Sequence, residues 1–143
     1  MGLLFTRRGT DPSLPKADRG AGDFNDFGYD LVARRKSVKI VLAASDPHQD
    51  ELRDLAAQRG VELRTAISPR SIEQERVDAE IPVRLFADRR VSGVVGTVPR
   101  GLESIVDETL RRLEDRGDAP RIPVRIVSKG GSYRVELLMG AVR

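Results

Sequence analysis

The sequence predicts a small α+β domain: about six strands, as a sheet or partly open barrel, with two main helices packed on it. Three observations carry this expectation. The chain has 143 residues, which fits one domain. Short runs rich in branched residues recur along it, bounded by Gly, Pro and Asp. Two stretches place apolar residues at helical spacing instead.

The elements follow in order. Residues 1–36 hold Gly2, Gly9, Gly20, Gly22, Gly28, Pro12 and Pro15 with little periodicity, the composition of a flexible N-terminal arm. The ordered domain is expected over 37–143. Val38 to Ala43 reads as a strand. Asp46-Pro47-His48-Gln49 then supplies a cap, a proline for the first helical position and a Gln three residues after the cap. Leu52, Leu55 and Ala56 continue that helix and Gly60 stops it. Val61 to Ala66 alternates as a strand, and Ser68-Pro69 opens a short helical or irregular segment to about residue 80. Ile81 to Phe86 and Val91 to Val98 are strands around a turn at Asp88-Arg89-Arg90. Leu102, Ile105, Val106, Leu110 and Leu113 form one helical stripe, ended by Gly117. Ile122 to Ser128 and Ser132 to Met139 flank Gly130-Gly131, a pair that favours a tight hairpin. The repeat of Ile81-Pro82-Val83-Arg84 as Ile122-Pro123-Val124-Arg125 reads as two equivalent strand starts.

Composition excludes whole classes of chemistry. There is no Cys, so there is no disulfide framework, thiolate metal site or cysteine nucleophile. With a single His, a His-rich metal centre is out as well. His48 lies at the helix start, where capping or packing explains it more simply than base catalysis. The Gly-rich pairs match neither nucleotide-binding loop. No catalytic residue, metal or cofactor is therefore expected. Nor is a membrane partner, since no apolar run reaches a membrane span, and a cytoplasmic protein is the expectation.

The net charge of +3 conceals a division along the chain. Residues 46–80 sum to −4 and 102–118 to −3, whereas 81–101 sum to +3 and 119–143 to +4. The helical segments are acidic and the later β segments basic. Arg84, Arg89, Arg90, Arg100, Arg125 and Lys129, with Arg134, are thus candidates for a nucleic-acid-binding β surface. Codon bias of a GC-rich genome, or the ordinary polarity of a solvated strand face, would place arginines there too. A second expectation is a protein partner or accessory-subunit contact through residues 24–32, where Phe24, Phe27 and Tyr29 cluster.

Three stretches resemble the HIRAN domain, a small β-rich module found alone in bacteria and attached to helicases and nucleases elsewhere. His48-Gln49-Asp50-Glu51-Leu52-Arg53-Asp54-Leu55 is similar to the family's early helix, and Asp88-Arg89-Arg90 to its Asp-Gly-Arg turn. Val95-Gly96-Thr97-Val98-Pro99-Arg100, followed by a helix and a hairpin, is similar to its ending. The likeness spans roughly residues 38–139 and implies a β-rich fold that binds single-stranded DNA ends. Two departures stand against it. The family's Asn-Pro-x-Asp-x-Asn-Ala loop is replaced by Ser68-Pro69-Arg70-Ser71-Ile72-Glu73, and Val91 to Val94 are additional.

Overall fold

The computed structural model describes residues 18–143. Its strands are β1 (Ile40–Val41), β2 (Leu63–Thr65), β3 (Pro82–Ala87), β4 (Arg90–Thr97), β5 (Val124–Lys129) and β6 (Ser132–Leu137). The helices are α1 (Gln49–Ala56), α2 (Ile72–Arg76) and α3 (Glu103–Asp115). The fold is α+β, with two main helices and two three-stranded antiparallel sheets in the orders β1-β6-β5 and β2-β3-β4.

Two backbone seams join the sheets. Ala43 and Thr97 exchange both hydrogen bonds at 2.8 Å, linking the end of β1 to the end of β4. Thr65 N–H donates to the Ile122 carbonyl at 2.9 Å beside the Arg64–Pro123 bridge, linking β2 to the entry of β5. The strands therefore follow one another round a closed circuit, β1-β6-β5-β2-β3-β4. The circuit is loosely zipped, since each seam is one bridge wide. Helix α1 packs on β4 and β6. Its side chains stand in for missing strand partners: the Gln49 amide accepts from Tyr133 N–H at 2.8 Å and donates to the Tyr133 carbonyl at 3.1 Å, and Glu51 accepts from Gly93 N–H at 3.3 Å.

The core lies inside the circuit and under α3. Leu102, Ile105, Val106, Leu110 and Leu113, the stripe read from the sequence, are all buried. They meet Ile40, Leu42, Val83, Leu85, Val95, Ile122, Val135 and Leu137. Each fully buried Leu or Ile contributes about 1.5–3 kcal/mol. The segment around α2 is held by a buried ion pair instead. Arg70 donates from Nε to Asp107 at 2.8 Å and from its backbone N–H to the same carboxylate at 2.8 Å, with side chains 6% and 2% exposed. Burial opposes the guanidinium's charge, but the Asp107 hydrogen bond and field outweigh it and hold the Arg70 pKa above its ordinary value. Ser71 and Gln74 close a capping box on α2.

Several sequence expectations are met closely. Gly130 and Gly131 both adopt positive φ (60° and 83°) between the closing pair Lys129–Ser132, a two-residue hairpin that only such residues form without strain. Both Ile-Pro repeats mark strand entries, with Ile81 and Ile122 buried. Two register shifts between β3 and β4 are bulges beside Gly93 and Gly96. The helix expected from Asp46 begins as a 3₁₀ turn, Asp46–His48, and becomes α-helical at Gln49.

The boundary at 36 is corrected for residues 18–36, which are packed rather than a separate arm; residues 1–17 lie outside the described residues. Ala21 and Val41 exchange both backbone hydrogen bonds, at 3.0 and 2.8 Å. Phe27 and Ala33 belong to the core. Gly20 lies so close to the barrel that a Cβ would sit 2.5 Å from the Val41 carbonyl. Composition suggested an arm because small residues are needed wherever backbone lies directly on backbone, as well as in mobile chain. Among the described residues, no helix is long and apolar enough to cross a membrane.

Candidate functional site

The outer face of β1-β6-β5 carries the charge. Side chains alternate along a strand, so Ile40, Val135 and Leu137 point into the core while Lys39, Arg134, Glu136, Arg125, Val127 and Lys129 belong to the opposite face. Residues 19–21, tied to β1 by the Ala21–Val41 bridge, raise a wall along that face. The result is a cleft of about 730 Å³. Its cations are Arg19, Lys39, Lys129 and Arg134, and Ala21, Val41 and Val127 supply its apolar surface.

Two ionic clusters order the cleft. In the first, Glu136 accepts from Lys39 Nζ at 2.9 Å and from Arg125 Nη2 and Nε at 2.7 and 3.0 Å. Burial works against the carboxylate's charge, and the hydrogen bonds from Lys39 and Arg125 more than offset it, holding the Glu136 pKa below its ordinary value. One carboxylate between two cations leaves a net positive charge. In the second, Asp18 is buried and accepts from Ser45 N–H at 2.6 Å, Asp46 N–H at 2.8 Å and Arg134 Nη1 at 3.0 Å. Arg134 also donates to Asp46 at 2.9 Å. This cluster pins residues 18–21 to the start of α1 and fixes the Arg134 guanidinium in place. Lys129 has no ion-pair partner among the described residues.

The six cations singled out from the sequence do not form one surface, and that expectation is corrected. Arg125 and Lys129 belong to the β1-β6-β5 face. Arg84, on β3 in the other sheet, lines a cleft of about 210 Å³ with Arg70, Gln74 and Glu80. Arg89 and Arg90 are exposed at the β3–β4 turn. Arg100 is occupied by Asp78, at 2.8 Å, and by Glu103, at 2.8 Å. Alternation along each strand is legible in the sequence, but which sheet a strand joins is not, and the six cations divide between the two sheets and their loops. Sequence reasoning missed Arg19 and Lys39. Period-two alternation against buried Ile40 and Leu42 could have found Lys39; nothing local marks Arg19, whose position depends on the Ala21–Val41 bridge.

The three aromatics at 24–32 also separate. Phe27 is buried, 4% exposed, whereas Phe24 is partly exposed on the Phe24–Asp26 turn and Tyr29 projects fully into solvent. His48 is half-buried in the 3₁₀ turn. A further basic cleft of about 410 Å³ holds Arg64, Arg116, Arg121 and Arg143. There Arg64 is paired with Glu62, Arg116 with Asp118, and Arg121 stacks on Phe86 at 4.1 Å. Comparison of the chain with protein-family models, with curated proteins and with solved structures finds no match.

Proposed function

We propose that this protein is a non-catalytic binding module that takes single-stranded nucleic acid along the outer face of β1-β6-β5. The observation that carries the reading is the cleft of about 730 Å³, whose cations come from three separated parts of the chain and surround an apolar surface. Phosphates would meet Lys129, Lys39 and Arg19 along the rim, while sugar and base faces would rest on Val41 and Val127. Arg134, whose two terminal nitrogens are taken by Asp18 and Asp46, braces the wall of the cleft rather than contacting phosphate. The cleft's apolar residues are aliphatic, so discrimination between bases by stacking is not part of the reading. The likeness to the HIRAN domain points to the same ligand class, though the loop this chain lacks leaves end recognition out of the proposal.

The test is fluorescence anisotropy with a labelled single-stranded oligonucleotide over a salt series. Three phosphate contacts give a slope of about −2 in log K against log salt. Lys129→Glu should weaken binding about tenfold, whereas Arg89→Ala with Arg90→Ala, on the other sheet, should change it less than about twofold. No signal at low salt, or an affinity indifferent to salt, defeats the reading. A protein partner for residues 24–32 is the second reading, favoured by the full exposure of Tyr29 beside the buried anchor Phe27. It is the one left standing if the oligonucleotide fails to bind.

A further inference from the structure

Among the described residues, one open stretch of the circuit of strands is the edge of β5 beyond the β2 seam. The β5–β6 ladder runs without a bulge from Val124–Leu137 to Lys129–Ser132. Leu138 N–H donates to the Pro123 carbonyl at 2.9 Å, which sets the phase of the ladder. Backbone groups alternate sides along an antiparallel strand, so Arg125, Val127 and Lys129 bond to β6. Val124, Ile126 and Ser128 must then turn their N–H and C=O groups the opposite way. Pairing with β2 is confined to the Arg64–Pro123 bridge at the entry of that edge. Among the described residues nothing hydrogen-bonds the backbone of Ile126 or Ser128 on that side. Ser128 is exposed and Ile126 half-buried, so two consecutive outward-facing donor–acceptor pairs are open to an added strand.

The side chains decide which strand fits. A second copy of β5 does not. Antiparallel pairing of two such edges through Ile126 and Ser128 brings Arg125 opposite Lys129 twice, and like charges directly opposite are destabilising. The same geometry with a different partner is favourable. On the outer face, an added antiparallel strand meets Lys129, then Val127, then Arg125. A carboxylate at its first position pairs Lys129, an apolar residue at its third covers Val127, and a carboxylate at its fifth meets Arg125, which is paired with Glu136 but still more than half exposed. We propose that the exposed edge of β5 is a strand-addition site for an extended acidic segment of a partner protein, of pattern Glu-x-apolar-x-Glu, whose x residues bond the backbone of Ile126 and Ser128. The proposal shares Lys129 and Val127 with the nucleic-acid reading, but the backbone edge at Ile126 and Ser128 belongs to it alone, so a change at Ser128 separates the two.

The test uses the full chain and a labelled, end-capped synthetic peptide Glu-Thr-Val-Thr-Glu. Saturable binding is expected, weakened at least tenfold when both Glu are replaced by Lys and abolished when both Thr are replaced by Pro, which removes the bonding N–H groups. Ser128→Pro deletes the open donor while sparing the β6 ladder, and should abolish binding; Lys129→Glu should invert the preference toward the Lys peptide. Oligonucleotide affinity, measured in parallel, should be unchanged within about twofold in Ser128→Pro. Should Ser128→Pro fold poorly, amide exchange in the wild-type chain decides, since only edge addition slows the Ile126 and Ser128 amides on peptide binding. Charge-blind binding, no binding of any peptide, wild-type binding by a folded Ser128→Pro, or amides unaffected by peptide overturns the proposal.

Discussion

Glu136 shows how a single residue sets both charge and stability on the candidate face. It is nearly buried, yet it stays ionised because Lys39 and Arg125 converge on it from neighbouring positions. Its folded pKa is depressed, so the stability it contributes is fully present above its ordinary value of 4.5 and is lost as pH falls through the lowered value. Unfolding free energy measured by denaturant against pH should therefore fall on acidification. Glu136→Gln should remove about 1 kcal/mol at neutral pH and flatten that part of the profile. The loss is modest because Lys39 and Arg125 remain half in water and resolvate. An unchanged acid limb in Glu136→Gln would assign the acid sensitivity elsewhere. At this scale residue type is legible in the sequence but pairing is not: Glu136 is the one acidic residue of the basic segment 119–143, while its partner Lys39 is 97 positions away.

Among the elements, the seams matter more than the strands. The two glycines of β4 illustrate the difference, because they look alike in sequence. A Cβ on Gly96 would lie 2.7 Å from the Ala43 carbonyl oxygen and 2.8 Å from Ser45 Oγ, at the place where β4 meets β1. A Cβ on Gly93 would meet nothing nearer than Glu51 Oε1 at 3.9 Å. Gly96→Ala should accordingly destabilise by about 1–3 kcal/mol, while Gly93→Ala should stay within about 0.5 kcal/mol, both read by chemical denaturation. Equal losses at the two positions would show that the seam does not carry this constraint. Close backbone approach is what Gly96 supplies, and nothing in the residues around it distinguishes it from Gly93. The strands themselves were placed to within a few residues. β1, expected over Val38 to Ala43, forms a ladder only at Ile40–Val41, because its ends pair with different partners.

For the whole molecule, the decisive feature is that residues 18–36 belong to the folded unit. A chain beginning at residue 37, the boundary composition suggested, would lose the buried Phe27 and Ala33 and the Ala21–Val41 bridge. It would also leave Arg134 without Asp18. Phe27 contributes about 1.5–3 kcal/mol by burial, and stranding a buried polar group costs about 1–3 kcal/mol more. The shortened chain should thus be less stable by about 3–5 kcal/mol, visible as a lower midpoint in thermal or denaturant unfolding. A fragment as stable as the full chain would return these residues to a detachable arm. What the sequence determined by itself was the α+β class, the two amphipathic helices, the Gly130-Gly131 hairpin and the basic character of the late strands. Those depend on residues near one another in the chain, where period, caps and turn chemistry act. Tertiary structure alone decided that the strands close into a circuit, that Arg84 and Arg125 stand on different sheets, and that Arg19 and Lys39 join Arg134 around one cleft. Such facts rest on pairings between distant segments, each held by one or two backbone hydrogen bonds that leave no local signature in the sequence.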